Sequence, residues 1–231
     1  MEFGAWDGKH FSNTWNLWAN LGWEAILIEG DRDKFEALRK AVSGNSKVVP
    51  INAYVGFEGE SSLDQILEQH GIASEVDVLS IDIDGDDYHV FEAVRKYLPR
   101  IALVEFNPTC PPGVEIVQSK GASFGCSAWS LLRLAESKDY RLVACTDTNM
   151  ILVRSCEFAA LSIDPVDLGD IYPKQYLSYV LSDYSGKTYI SRMPVYQEGT
   201  GKGVLRSILG RSAPSAFPGN SPRSIRISTI N

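Results

Sequence analysis

The sequence predicts an α/β fold, in which a mostly parallel sheet of seven strands has helices on both faces and ends with an antiparallel strand. Short apolar runs rich in β-branched residues alternate with amphipathic segments, which is the pattern of a parallel sheet joined by helices. The last two apolar runs follow one another without a helix, so they predict an antiparallel pair. The 231 residues, 44% of them hydrophobic, suffice for a packed core.

The first quarter of the chain predicts three strands and two helices. After an opening strand, EFGAWDG, the residues Trp15, Leu17 and Trp18 have a spacing partly consistent with one face of a helix. EAILIE is predicted to be the second strand. DRDKFEALRKAVSG is a helix, because acids lie in its first turn, bases lie later and Gly44 ends it. KVVPINAYVG is a third strand, and Pro50 indicates that it is short or at a sheet edge.

The next hundred residues continue the alternation. SSLDQILEQHG is a short amphipathic helix, DVLSIDID a strand, DDYHVFEAVRKYL a helix and RIALVEFN a strand. After the loop PTCPPGVEIVQSKGASFG comes a helix, CSAWSLLRLAESKD, and then the two strands YRLVAC and NMILVR. These elements complete one domain, residues 1–154.

Beyond this domain the alternation stops. Residues 155–210 are expected to form an appendage for acceptor binding or dimerisation, and residues 211–231 a disordered tail rich in Ser and Pro. The appendage has an aromatic pattern whose members could share one helical face, Tyr172, Tyr176 and Tyr179. Such a face could stack on a sugar or simply pack against the sheet or a second subunit.

The composition limits the classes of function that the chain could have. The formal net charge is -7, from 22 Lys and Arg against 29 Asp and Glu, so the charge pattern of a nucleic-acid-binding protein is absent. The four cysteines contain no CxxC pair, which favours reduced thiols in a cytoplasmic protein. No apolar run approaches the roughly 20 residues that span a bilayer. We therefore expect a small-molecule or glycan partner, with a homo-oligomer as a further option.

Acidic residues gather where predicted strands end, which is where open parallel sheets bind ligands. Because side chains alternate along a strand, Asp82 and Asp84 point the same way, and so do Glu105 and Asn107 on the following strand. If these strands are neighbours, the four oxygen-bearing side chains form a predicted Mg²⁺ site. Alternatively, residues 84–87 only make the turn and cap the next helix. The spacing of a calcium-binding EF-hand loop is not met.

A glycine-containing turn opens the chain. Gly4 and Gly8 would let the backbone turn sharply and approach a ligand closely. The dinucleotide fingerprint GxGxxG and the phosphate loop GxxxxGK[ST] are both absent. Glu29 lies 25 residues after Gly4, at the end of the second strand, where a carboxylate can bind both hydroxyls of a ribose.

These features together resemble a known family. EFGAWDGKHFSNT, LIEGD, SIDIDGDDYHVFEAV, IALVEFNPTCPP and GCSAWSLLRLAESKDYRLVACTDTNMILVR follow, in order, the pattern of FkbM-type class I methyltransferases from surface-glycan clusters. The resemblance covers residues 1–154 and implies a Rossmann-like domain that binds S-adenosylmethionine (SAM). The chain starts inside the glycine motif, so a truncated or unusually short member is expected.

The resemblance also implies roles for single residues. Around SAM, the implied contacts are Gly4, Asp7 and Gly8 at the methionine part, Glu29 at the ribose, Asn52 or Ala53 at the adenine, and Asp82 at the amino group. Related macrolide-sugar O-methyltransferases bind Mg²⁺ through strand-end acids. Their second site is an aspartate pair, where this chain has Glu105 and Asn107.

The expected reaction is methyl transfer to a hydroxyl of a sugar or another small polar acceptor. His89, beside Asp82 and Asp84, is the first candidate for the base that accepts the hydroxyl proton, and His10 is the second. His89 could instead be a surface or capping histidine. Two other functions stay open at this point: a non-catalytic scaffold with the same fold, and an enzyme that binds a metal-nucleotide through the acidic cluster.

Overall fold

The computed structural model describes residues 1–72, 75–190 and 228–230. Contacts divide the chain into two units, Met1–Pro173 and Lys174–Asn231. The division expected from the sequence, at residues 154 and 210, stays a prediction. Most of the predicted disordered tail, residues 211–231, lies outside the described residues. Its described part is a strand, Ser228–Ile230.

A seven-stranded sheet forms the centre of the first unit. In chain order its strands are β1 (Glu2–Phe3), β2 (Ala25–Glu29), β3 (Val48–Asn52), β4 (Val78–Ile81), β5 (Ile101–Glu105), β6 (Tyr140–Cys145) and β7 (Asn149–Arg154). They lie in the order β3-β2-β1-β4-β5-β7-β6. The pairs among β1 to β5 are parallel, whereas β7 is antiparallel to both β5 and β6. This topology confirms the predicted α/β fold, including its antiparallel final strand.

The strand order places one point of reversal in the sheet. From β1 the chain runs outward through β2 to β3, and β4 then pairs with the other side of β1. The carboxyl ends of β1 and β4 therefore border the crevice in which such sheets bind ligands. Strand β3 is at the sheet edge, as Pro50 predicts.

Six α-helices accompany the strands in the described part of the chain. They are α1 (Trp15–Ala19), α2 (Arg32–Ala41), α3 (Leu63–Gln69), α4 (Asp87–Ala93), α5 (Ala128–Ser137) and α6 (Leu168–Ile171). Asp31 caps α2 by accepting hydrogen bonds from the backbone of Asp33 and Lys34, and Ser127 caps α5 in the same manner. None of these helices is long and apolar enough to cross a bilayer.

The predicted helical face of three tyrosines is wrong. Helix α6 ends at Ile171, and Tyr172 has extended backbone angles because it precedes Pro173, which disfavours the helical conformation. A short 3-10 helix covers Lys174–Tyr176, and Tyr179 lies outside any helix. Tyr172 is instead buried, and its hydroxyl donates to the carbonyl oxygens of Pro108 and Cys110 at 2.8 and 2.6 Å.

The second unit contains a small antiparallel sheet. Its strands β8 (Val180–Ser182), β9 (Thr188–Ile190) and β10 (Ser228–Ile230) lie in the order β10-β9-β8. All three residues of β8 are exposed.

Candidate functional site

A cleft of about 510 Å³ opens at the carboxyl ends of β1, β2 and β4. Its walls come from residues that lie in, or come after, the strands β1 to β4. Four residues that the sequence singled out for cofactor binding line it: Gly4, Glu29, Ala53 and Asp82. The cleft therefore lies at the point where the sheet topology predicts a ligand.

Gly4 brings the turn after β1 against the turn after β4. Its φ is +75°, and a Cβ at this position would lie 2.0 Å from the carbonyl oxygen of Asp82. Gly8, with φ +80°, packs instead against Leu38 and Trp18 and is not part of the cleft wall. Both glycines are thus required by close packing within the protein, and only Gly4 also borders the ligand space.

Glu29 points toward the turn between Gly4 and Gly8. Its side chain is buried, with 7% exposed, and the two carboxylate oxygens accept hydrogen bonds from the backbone N–H groups of Trp6 at 2.7 Å and Asp31 at 2.8 Å. Each oxygen keeps further lone pairs, so the carboxylate can still accept from a ligand in the cleft.

Two of the expected cofactor contacts have structural roles outside the cleft wall. The Asn52 side-chain amide donates to the carbonyl oxygen of Glu29 at 2.8 Å and so holds the end of β2. Asp7 accepts from the backbone N–H groups of Lys9 and His10, and these hydrogen bonds lower the pKa of its carboxyl group. Both residues shape the turns that surround the cleft.

Exposed aromatic side chains form much of the cleft rim. Phe11 is 83% exposed, Tyr54 75% and Trp6 42%, and all three line the cleft. The Tyr54 ring lies so close to Gly30 that a Cβ on Gly30 would be 2.3 Å from it. Sequence reasoning missed Phe11 and Tyr54, although Tyr54 follows the end of the third predicted strand. Exposed apolar surface of this kind is typical of binding sites.

The aspartates of DIDGDD have different roles in the structure. Asp82 and Asp84 line the cleft. Asp87 is buried, and its carboxylate accepts from the backbone N–H groups of Ile83 at 2.8 Å and Gly85 at 2.9 Å, so it makes the turn. Asp86 is the residue before α4, but its carboxylate makes no cap hydrogen bond. It binds the loop between β5 and α5 instead, through Gln118 and Gly121.

Burial reduces the negative charge of this cluster. Burial raises the pKa of Asp87 to about 6 and that of Glu105 to about 8, and neighbouring carboxylates add to both effects. The pKa of Asp82 is also raised, mainly by burial, against the opposing effect of hydrogen bonds from Asn149 and Asn13. At neutral pH the Glu105 carboxyl group is therefore mostly protonated.

The donor set does not fit the predicted Mg²⁺ site. The Asn107 side-chain oxygen accepts from both the backbone N–H and the hydroxyl of Thr109, at 2.9 and 2.6 Å, while its amide donates to Phe124. Asn107 is thus committed to its own loop and does not join Asp82, Asp84 and Glu105. Among the described residues, no group of three His, Cys, Asp or Glu side chains could hold a metal ion.

His89 does not line the cleft. Its Nε2 donates to the carbonyl oxygen of Gln118 at 2.9 Å, and its ring packs near Phe57 and Tyr88. Its Nδ1 is buried and has no hydrogen-bond partner within the described part of the chain. His10, in contrast, lines the cleft, with its ring 4.9 Å from that of Trp6 and 4.1 Å from that of Phe11.

Comparisons with known proteins show a similarity to solved structures. No family model and no curated protein sequence matches the chain. Among solved structures, the chain is similar to the citrinin polyketide synthase CMeT domain, with a TM-score of 0.43 and 12% sequence identity. The match covers 67% of this chain and 45% of that chain, so this chain spans less than half of the other's length. The Rossmann-like sheet expected of a class I methyltransferase is present in this chain.

Proposed function

We propose that this chain is a SAM-dependent methyltransferase that methylates a hydroxyl of a sugar or another small polar acceptor. One observation carries the proposal: Gly4, Glu29, Ala53 and Asp82 line a single cleft at the point where the sheet reverses. The resemblance of five collinear motifs to FkbM-type methyltransferases assigns cofactor contacts to these same residues. The choice of a sugar hydroxyl as acceptor comes from that resemblance.

The charge of the cleft favours SAM over a nucleoside phosphate. Glu29, Asp82 and Asp84 are among the described residues that line it, against one lysine, Lys34. A phosphate chain would meet repulsion from these carboxylates, whereas the sulfonium and ammonium groups of SAM would be attracted. This distinction bears on the alternative of a nucleotide-binding enzyme, whose phosphate groups would need a metal ion to offset these carboxylates.

The chain's own residues bind and align the reactants. Glu29 would accept hydrogen bonds from the ribose hydroxyls, Asp82 would bind the ammonium group, and Ala53 and Tyr54 would border the adenine. The cofactor, when bound, supplies an electrophilic methyl group. The protein then mainly needs to exclude water and to direct the acceptor hydroxyl at that methyl group.

The proton of the acceptor hydroxyl needs a base within hydrogen-bond reach. Asp84 and His10 both line the cleft, whereas His89 is bound to the loop between β5 and α5. We therefore assign the base to Asp84 or His10.

Calorimetric titration with S-adenosylhomocysteine (SAH) tests the proposal. The wild-type chain should bind SAH, and Glu29→Gln should weaken binding about tenfold or more, because hydrogen bonds to a charged carboxylate are lost. Glu24→Gln is the matched control, since Glu24 is exposed and adjoins the same strand. Equal affinity of Glu29→Gln and wild type would refute the ribose assignment. A wild-type chain that binds no SAH would favour a non-catalytic scaffold.

A further inference from the structure

Glu2 is a buried carboxylate that fixes the segment before α1. It is 2% exposed, and its oxygens accept from the hydroxyls of Ser12 and Thr14, each at 2.6 Å, and from the backbone N–H of Asn13 at 2.8 Å. A buried carboxylate is stable only when its oxygens are paired, and three donors meet that need here. The segment 12–14 is thereby held against β1.

This anchoring directs the Asn13 side chain toward β4. Its amide nitrogen donates to the hydroxyl of Ser80 at 3.1 Å and to the Oδ2 of Asp82 at 3.2 Å. Asn13 and Asp82 are 69 residues apart in the chain, so the contact exists only because β1 and β4 are neighbours in the sheet.

Asn149, the first residue of β7, is a second polar neighbour of the Asp82 carboxylate. The Asn149 side chain is 4% exposed. Both asparagines stabilise the charged form of Asp82, against the burial that raises its pKa. The hydrogen bond from Asn13 also restricts the rotation of this carboxylate, while Asp82 still borders the cleft.

We propose that Asn13 is a positioning residue, which holds the Asp82 carboxylate in the orientation that binds the amino-acid end of the cofactor. The inference rests on the proposed function, because it takes the ligand of the cleft to be SAM. It goes beyond that function because it gives a role to Asn13. In this proposal Asn13 does not contact the cofactor and acts only through Asp82.

Two ligands separate positioning from general structural damage. SAH carries the amino-acid group, whereas 5′-methylthioadenosine has the same adenosine and thioether without it. Calorimetry on the full chain should show that Asn13→Ala weakens SAH binding about tenfold and changes 5′-methylthioadenosine binding less than twofold. Asn13→Ser, which stays polar but is too short to reach Asp82, should give the same selectivity and serves if Asn13→Ala folds poorly.

The control is Asn16→Ala, which removes an exposed asparagine from the neighbouring helix and should change neither affinity. Equal weakening of both ligands, or no weakening of either, would overturn the positioning role. If wild type binds both ligands while the Asn13 variants show no selectivity, only this inference fails. If wild type binds neither ligand, the proposed function fails with it.

Discussion

At the scale of single residues, backbone strain is concentrated around the cleft. Five non-glycine residues in the described part of the chain have positive φ, and three of them, Trp6, Phe11 and Asp84, line the cleft. Each costs roughly 1–2 kcal/mol relative to the right-handed region. Hydrogen bonds to Asp7, Glu2 and Asp87 hold the adjoining turns. Strain that persists in this way commonly marks a functional surface.

Gly4 allows a prediction that separates strain from steric clash. Gly4→Ala should destabilise the protein by roughly 3 kcal/mol or more, because a Cβ would overlap the Asp82 carbonyl and the positive φ adds strain. Gly44 has φ +85°, but a Cβ there would meet no atom of the described residues within 4 Å, so Gly44→Ala should cost only about 1 kcal/mol. Urea unfolding measures both. Equal losses in the two variants would disprove the close approach at Gly4.

At the scale of elements, the loop between β5 and α5 is built around one buried glutamine. The Gln118 side chain donates to Asp86 and to the carbonyl of Ala122, and it accepts from the backbone N–H groups of Phe124 and Gly125. The His89 ring donates to the backbone carbonyl oxygen of Gln118. The loop is therefore fastened to the start of α4, next to the aspartates of the cleft.

Gln118→Ala should loosen this loop. Loss of the buried amide removes one hydrogen bond from each of its four partners, so we expect about 1–3 kcal/mol of destabilisation. Hydrogen exchange at the amides of Phe124 and Gly125 should accelerate. Gln65→Ala is the matched control, because the Gln65 amide makes an exposed hydrogen bond to Glu68 on its own helix. Unchanged exchange in Gln118→Ala would show that the loop is held by other contacts.

At the scale of the whole molecule, the first unit holds every residue of the cleft and all seven strands of the main sheet. Three residues between the last strand and the end of this unit belong to its core. Phe158, Leu168 and Tyr172 are each less than 9% exposed. The Tyr172 ring also lies 5.2 Å from that of Trp129.

Two fragments test where this unit ends. Residues 1–173 should fold cooperatively and bind SAH within about twofold of the full chain. Residues 1–154, the boundary expected from the sequence, lack the buried Leu168 and Tyr172 and should lose about 3–5 kcal/mol of stability. Thermal unfolding and calorimetry measure both properties. Equal stability of the two fragments would place the boundary near residue 154.

Much of the fold could be predicted because its signals are local. The alternation of apolar runs and amphipathic segments predicts the parallel strands, and Pro50 predicts the edge position of β3. The prediction that three tyrosines share a helical face was wrong, because Pro173 disfavours the helical conformation at Tyr172. Glu29 could be found from sequence since it ends a strand at a fixed distance from the glycine turn. Phe11 and Tyr54 could not, because exposure depends on packing.

The sequence by itself determined the strands, their alternation with helices and the presence of acids at strand ends, since these follow from side-chain periodicity and local backbone preference. Only the tertiary structure decided what each acid does. Asp82 accepts a hydrogen bond from Asn13, 69 residues away, and Asp86 accepts one from Gln118, 32 residues away. His89 lies outside the cleft and donates to the backbone of the same loop. Hydrogen-bond partners so distant in sequence are chosen by the order of strands in the sheet and by the path of the turns between them.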